Sequence, residues 1–488
     1  MNCRGGLPSW SCRTLSGLSR GEKVRSPANS EGIDEIQRAN SIQRVDAVRR
    51  VDGTLQLDQI VPPGHGYGQL TIALFIRLVL NGVSFRGASR VLAVIAGALG
   101  YSWKIPHWTS GRLWMLRLGH HQLTMAREQA ADWAWLVDHS VQIGLDKCLV
   151  ILGVRLSQMP APGRCLDHRD VRLIALEPMR SSSKQQVHAQ LEKAAIRTGT
   201  PRVIVDDHGA DLHGGVKLFQ QNHAQTLEVY DIKHKAACLL KHRLKHDPDW
   251  KRFLTRIGQT RCAIQQTELA FLAPPGAKLK ARFMNLRPML EWGLHVLEVL
   301  RRPPEVVREA CGGQRLTEKL GWIESFGPLL GQWRQWQQVA DEAIDQVGHD
   351  GLDGQTANRL RLKWSGLAEP GSRALAEELI EFVDSQSAKA RAGERLPGST
   401  EVVESLFGRF KTLEKQQARG GFTALVLAMG SMLSPTDGQT ISQALKQSPT
   451  QSVWGWCRDK LGVTLNGKRK LAFAGVTAAQ QNRDDSSG

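Results

Sequence analysis

Residues 203–211 read Val-Ile-Val-Asp-Asp-His-Gly-Ala-Asp, and this stretch decides how the rest of the chain is taken. Pro201 interrupts what precedes it, and three β-branched residues then run together, as in a strand buried on both faces. The run ends in two adjacent carboxylates, Asp206 and Asp207, and Gly209 lets the chain turn away. In α/β sheets, ligand and catalytic groups emerge at the carboxyl ends of strands. Acids there stay solvated and can hold a hard cation through oxygen. The plainer reading is a capped strand followed by an Asx turn.

The flanking pattern favours the first reading. Ala126 to Trp135 has a helical look, and strands follow at Leu136–Ile143, Lys147–Leu156 and Val171–Leu176, with a turn at Gly144-Leu145-Asp146. An amphipathic helix, Ser181–Ile196, then leads into the acid-tipped strand Arg202–Asp207. Helix Leu212–Gln221 and strand Leu227–Ile232 complete the run. The order β-β-β-α-β-α-β, a meander followed by a crossover into a parallel strand, is the ribonuclease H topology. The expected fold class is α/β: a ribonuclease H-like mixed sheet with an all-α insertion, preceded by a helix-turn-helix domain.

Two further acids join the argument. Asp138 stands in mid-strand within Trp133-Ala-Trp-Leu-Val-Asp-His-Ser-Val-Gln-Ile, where a carboxylate is costly unless a cation or hydrogen bonds satisfy it. Glu404 lies on a helix, Glu401–Lys415, opened by Ser399-Thr400 and carrying an apolar stripe of Val403, Leu406, Phe407, Phe410 and Leu413. Glu404, Gly408 and Lys411 share an adjacent stripe, and a helical glycine there suggests a backbone or a phosphate passing close by. Three converging carboxylates repel one another until divalent cations neutralise them. Two Mg²⁺ ions held about 3.5–4 Å apart would activate a water or 3′-hydroxyl for in-line phosphoryl displacement. On a strand Asp206 and Asp207 point to opposite faces, and with both faces apolar the alternation does not choose between them. Asp211 reads more simply as the N-cap of the following helix. His139, His208 and His234 lie near these acids in sequence, with structural or phosphate-contacting roles, since Mg²⁺ prefers oxygen.

The remainder frames this core. Residues 1–66 form a polar, basic lead expected to be disordered, with a short helix near Ile33–Val51. In 67–125, helices Leu70–Leu80, Phe85–Leu99 and Gly111–Leu118 are expected, the second capped by Ser84 and the last ended by Gly119. Arg86, Arg90, Arg112 and Arg117 would lie on exposed faces, and with Thr109 they mark a DNA-binding helix-turn-helix whose recognition helix is 106–119. The core is 126–234, resumed by the catalytic helix at 399–435, around a helical insertion at 235–398. That insertion shows apolar helical spacing at Leu239–Leu244, Glu268–Leu272, Met284–Leu300, Glu318–Gln338 and Ala374–Val383, and a basic cluster at Lys278, Lys280 and Arg282. Thr423–Met432 is one more apolar helix, and 436–488 is a helix and basic tail.

The chain has 488 residues, 41% hydrophobic, enough for two or three domains and a substantial core. A formal net charge of +17 favours a polyanionic partner, nucleic acid first. Eight scattered cysteines with no C-x-x-C pair suit a reducing compartment and argue against a structural zinc site. No apolar run is long enough to span a membrane. A cytoplasmic location is expected, without a membrane partner.

At this point the sequence resembles the DDE transposases of bacterial insertion sequences over roughly residues 70–460. The resemblance rests on Ser-Phe-Arg-Gly-Ala-Ser-Arg-Val-Leu (84–92), Val-Asp-His-Ser-Val-Gln-Ile-Gly (137–144), Val-Asp-Asp-His-Gly-Ala-Asp-Leu (205–212) and Glu-Val-Val-Glu-Ser-Leu-Phe-Gly-Arg-Phe-Lys (401–411). It implies Asp138, Asp207 and Glu404 as catalytic metal ligands, with Lys411, seven residues after Glu404, on DNA. It favours Asp207 over Asp206 and Asp211, and Glu404 over Glu401. It also implies two Mg²⁺ ions, with Mn²⁺ a substitute, and a homo-oligomer that binds the terminal inverted repeats of a mobile element, cleaves the strand and transfers it at the nucleoid. A structure-specific nuclease of the same fold, or an inactive relative acting as a DNA-binding regulator, are the alternatives.

Overall fold

The computed structural model describes residues 48–51, 54–57, 60–100, 103–143, 146–276, 283, 286–416, 423–463 and 467–474. The chain divides into two compact units, 1–57 and 58–488. Within the first, strands β1 (Val48–Val51) and β2 (Thr54–Leu57) pair antiparallel, so 48–51 is extended where a helix was expected. The expected helix at 33–47 lies outside the described residues.

The second unit is built on a five-stranded mixed sheet. Its strands are β3 (Trp133–Ile143), β4 (Asp146–Arg155), β5 (Arg172–Met179), β6 (Val203–Asp206) and β7 (Leu227–Tyr230), in the order β5-β4-β3-β6-β7. The first three form the antiparallel meander, and β6 and β7 add in parallel. This α/β arrangement is compatible with the ribonuclease H-like reading of the strand order. Helix Lys184–Thr198 supplies the crossover and starts from a reciprocal capping box between Ser183 and Gln186. The expected helical lead-in at 126–135 is not formed. Trp133 and Trp135 alternate with Ala134 and Leu136 in β3, and Asp132 accepts hydrogen bonds from Arg155 and Ser157 instead of opening a helix.

The two sheet faces bury different partners. Trp133, Trp135, Val137 and Ile204 pack with Val187 and Leu191 of helix 184–198 and with Leu212, Val216 and Phe219 of helix Ala210–Asn222. Ala134, Leu136, Val203 and Val205 face the larger core, with Val403, Leu406, Phe407 and Phe410 of helix Glu401–Lys415.

Between β7 and that helix, the regular elements among the described residues of the insertion are helices and 3₁₀ turns, apart from one isolated bridge, Leu352 to Leu396. The expected helix Glu318–Gln338 is broken: helix Gly313–Leu320 passes through a 3₁₀ segment, Gly321–Phe326, into helix Gly327–Asp350, with Pro328 in its first turn. Likewise Glu268–Leu272 holds only a 3₁₀ turn, Ala270–Leu272, and Thr423–Met432 begins as one before helix Ala428–Met432. Lys278, Lys280 and Arg282 lie outside the described residues.

The N-terminal helices of this unit are Gln69–Leu80, Phe85–Leu99 and Trp108–Thr124. Ser84 caps the second as expected, its side chain accepting from the Gly87 N–H. The third differs from expectation: it runs through Gly119, and every residue from Trp114 to Leu123 is buried. Gly119 is a crossing point, not a stop, because a Cβ there would sit 1.8 Å from the Leu427 carbonyl oxygen. Arg117 is buried, not exposed, and donates to the backbone carbonyls of Ser448 and Leu445. Arg112 is half-buried. The helix is thus a central strut packed against helices Ala428–Met432, Gly438–Gln447 and Thr450–Leu461, and a free-standing helix-turn-helix is not set apart. What stays exposed is Arg86, Arg90 and Thr109, with the Arg86 guanidinium 5.2 Å from the Trp108 ring centre.

Candidate active site

Strand alternation, read with the faces now known, separates the two adjacent acids. Val203 and Val205 face the larger core, so Asp207 continues that side and Asp206 the other. On β3, Ala134 and Leu136 face the same core, which puts Asp138 on that side too. Leu136 pairs with Val205 in parallel, and two residues further along each chain stand Asp138 and Asp207. The helix carrying Glu404 packs on this face, against β3. The sequence lacked only which face the Glu404 helix covers.

Asp138 is 8% exposed, and its Oδ1 accepts from the His139 N–H at 2.6 Å. Burial, then the neighbouring Asp207 carboxylate, with a smaller push from Glu404, lifts its carboxyl to about 7. The three acids therefore feel one another. Their oxygens are not gathered around one point, however: no oxygen set from all three lies within 4.8 Å. A site with two ions needs no such common point, because the outer carboxylates serve different ions.

Two cations of the protein's own sit among these acids, both in the first turn of helix Ile232–Leu244. Lys233 Nζ lies 2.7 Å from Glu404 Oε2 and 3.2 Å from Glu401 Oε1. Burial alone would lower the Lys233 ammonium, but these partners outweigh it and raise it. His234 Nε2 lies 3.8 Å from Asp207 Oδ2, and its Nδ1 lies 3.6 Å from Asp231 Oδ1, an ion pair rather than a hydrogen bond. Burial would lower the imidazole, yet Asp231, followed by Asp207 and Asp138, raises it to about 9. Among the expected histidines His234 alone joins the acids; His139 turns to the Ser182 hydroxyl, and His208 stacks on Tyr230.

Asp231, fully buried, fixes the geometry. It caps the His234 N–H, and its Oδ2 accepts from the Thr400 N–H at 2.5 Å and the Thr400 hydroxyl at 2.8 Å. Burial would raise this carboxyl, but those donors hold it below its ordinary range. Sequence reasoning missed Asp231 and Lys233. The available signal was Asp-Ile-Lys-His directly after a strand: an N-cap acid followed, one turn in, by a residue facing the same strand ends.

Asp211 is not an N-cap as expected. Gly209 occupies that position, and Asp211, in the first turn, pairs with Lys147 at 3.0 Å. Gly408 meets no protein atom within 4 Å of where a Cβ would stand, so no backbone crosses it. Lys411 is exposed further along the same helix. Beside the helix's N-terminus lies a cleft of about 350 Å³ whose lining includes Arg164, His168, Arg395, Ser399 and Ser405.

The donor set of Asp138, Asp207 and Glu404 is all oxygen, which fits a hard divalent cation. The raised Asp138 carboxyl and the inserted Lys233 and His234 are what a carboxylate cluster lacking such a cation would show.

No known protein-family model and no curated protein matches the chain. Among solved structures, a strand transfer complex of the Drosophila P element transposase is similar to it at a TM-score of 0.36 and 11% identity, over 87% of this chain and 100% of that one. That likeness is too faint to bear on fold or activity. Among the described residues no helix is long and apolar enough to cross a membrane.

Proposed function

We propose that this chain is a DNA strand-cleaving and strand-transferring enzyme of the insertion-sequence transposase type, with Asp138, Asp207 and Glu404 as its metal-holding acids. The observation carrying this reading is Asp138: a carboxyl on the inner sheet face, lifted to about 7 by burial and by an acid on the next strand. A purely structural strand residue has no reason to keep such a neighbour. Two Mg²⁺ ions bound here would supply charge neutralisation and a lowered pKa for a water or 3′-hydroxyl. The chain's own part is to hold the acids in place. Asp138 comes from β3, Asp207 directly follows the adjacent strand β6, and Asp231 ties the Glu404 helix to the end of β7. His234, charged, balances Asp207. Lys233 holds Glu404 and would release it to a cation or a phosphate. Arg86, Arg90 and Thr109, and Lys411 on the Glu404 helix, offer exposed contacts to a duplex, in keeping with the net charge of +17. Double-stranded DNA at the element ends is the proposed partner.

A second reading, a DNA-binding regulator of the same fold, is favoured by one observation: Lys233 already neutralises Glu404. The deciding experiment incubates purified protein with a labelled duplex carrying the inverted repeats that flank its gene, with and without Mg²⁺. Metal-dependent nicking at the repeat boundary supports the transposase; binding without cleavage under any divalent metal supports the regulator.

A further inference from the structure

On the opposite face of β6 from the three acids, a second group of side chains converges. His208, His213 and Glu228 each offer a ligand atom within 4.8 Å of the other two. His213 Nδ1 lies 2.7 Å from Glu228 Oε1, and His208 Nε2 lies 3.6 Å from that same oxygen. Asp206 stands beside the group, outside that 4.8 Å set; its Oδ1 accepts from the His208 N–H at 3.0 Å and lies 3.8 Å from His208 Nε2. For a tetrahedral ion with bonds near 2.0–2.1 Å, adjacent ligand atoms stand about 3.3 Å apart. The observed separations bracket that value.

We propose that His208, His213, Glu228 and Asp206 form a binding site for a transition metal ion, Zn²⁺ by its donor set, distinct from the three-acid site. Two imidazoles and two carboxylates are a nitrogen–oxygen set that suits zinc and is poorly matched to Mg²⁺.

Three features support a ligand here rather than a closed hydrogen-bond network. Asp206 Oδ2 is fully buried and meets no N–H or hydroxyl donor; the polar group beside it is the carboxyl of Glu228, a second acid. A buried oxygen without a donor is costly, and a cation removes the cost. His208 is also the single non-glycine residue with positive φ among the described residues, at 54°, a strained backbone at the turn that carries its ring. That ring is clamped flat on Tyr230, with centroids 4.2 Å apart and planes 5° apart. The outer partners are also in place. Lys217 Nζ holds Glu228 Oε2 at 3.1 Å, leaving Oε1 directed at the two rings, and Lys389 Nζ donates to the Glu228 backbone carbonyl. His208 and His213 are partly exposed, so an ion has a route in.

The consequence follows from chain order. His208 directly succeeds Asp207, so an ion on one face would fix the backbone that presents Asp207 to the other. The metal site itself does not depend on the proposed activity; only this consequence rests on it.

The test uses the full chain, stripped with a chelator and then titrated with Zn²⁺ by calorimetry and with Co²⁺ by visible absorption. One equivalent of Co²⁺ is expected to give the intense absorption of a four-coordinate ion with imidazole ligands, which an all-oxygen six-coordinate site does not produce. His213→Gln is expected to weaken Zn²⁺ binding more than about 100-fold, beyond the loss of an outer partner. Glu228→Gln should do the same, and Asp138→Asn should leave Zn²⁺ affinity and the Co²⁺ spectrum unchanged. Circular dichroism checks the fold of each variant, and the half-exposed His213 keeps the test decisive if the Glu228 variant unfolds. Absence of the four-coordinate spectrum in the parent, or its persistence in His213→Gln, overturns the site. Loss of the spectrum in Asp138→Asn assigns it to the three-acid cluster and overturns the site equally.

Discussion

Lys233 Nζ stands 2.7 Å from Glu404 Oε2, so the acid proposed as the third metal ligand is already paired with a side chain two residues into the helix after β7. Binding a cation at Glu404 therefore means exchanging one positive charge for another. Lys233→Met is expected to lower the Mg²⁺ concentration that supports half-maximal nicking, because the cation no longer competes with an ammonium group. If the required Mg²⁺ is unchanged or rises, Glu404 takes no part in holding it.

Alanine at Asp138, Asp207 or Glu404 is expected to abolish cleavage and leave duplex binding nearly intact, since none of the three needs to touch the duplex in its metal-free state. A gel-shift series run beside a nicking assay separates the two. Cleavage at the parental rate by Glu404→Ala would remove Glu404 from the site.

The acid cluster makes the metal-free protein less stable as pH rises, in two successive windows. Asp138 keeps its proton to about pH 7 in the fold, whereas an unfolded Asp ionises near 3.9. Between those values the folded state binds more protons, so this residue costs the metal-free protein stability as pH rises from about 4 to 7. Asp138→Asn is expected to stabilise the metal-free protein at pH 8 by about 3 kcal/mol. His234, raised to about 9, contributes stability that is full below its ordinary 6.5 and lost as pH climbs through 9. His234→Gln should cost about 3 kcal/mol at pH 6 and much less at pH 10. Urea unfolding with a chelator present, at three pH values, reads both.

The basic residues divide by burial. Arg86→Ala together with Arg90→Ala is expected to weaken duplex binding uniformly and reduce the slope of log K against log salt by about 2. Arg117→Ala should leave that slope alone and destabilise the fold by about 3 kcal/mol, because its guanidinium bonds the buried carbonyls of Ser448 and Leu445. Equal salt slopes for the two would refute the division.

Gly119→Ala is expected to lower stability by about 3 kcal/mol, as overpacking against the Leu427 carbonyl forces two helices apart. Thermal unfolding at neutral pH checks it, and an unchanged Tm would mean the crossing is looser than its contacts imply.

Much of this fold could be read from local pattern. Val203-Ile-Val-Asp is a strand by its β-branching, Ser84 and Thr400 open helices by their position, and Asp138 is conspicuous as a charge inside an apolar strand. What could not be read were facts of partnership. Trp133 looks helical until β4 pairs with it, and Arg117 looks exposed until the carbonyls of Ser448 and Leu445 arrive to accept hydrogen bonds from it. Choosing Asp207 over Asp206 required knowing which side of the sheet helix 401–415 occupies. Lys233 and His234 stood beside the acids all along, but only the Asp231 cap turns them inward.

The Asp231 contacts to Thr400 join residues 169 positions apart. Ile232 N–H donates to the Gly398 carbonyl next to them, so the excursion through the helices departs and returns at one place. Its net displacement is nearly zero, so it is a closed ring held at one clasp, with Lys389 on the Glu228 carbonyl and the Arg202–Glu394 pair as further ties to the sheet. Ring-closure entropy grows only logarithmically, by about 0.6 kcal/mol for each doubling of length. Such a ring can be lengthened or shortened between these ties at little ring-closure cost. The proposed carboxylate site is thereby insulated from changes of length inside its own interior domain.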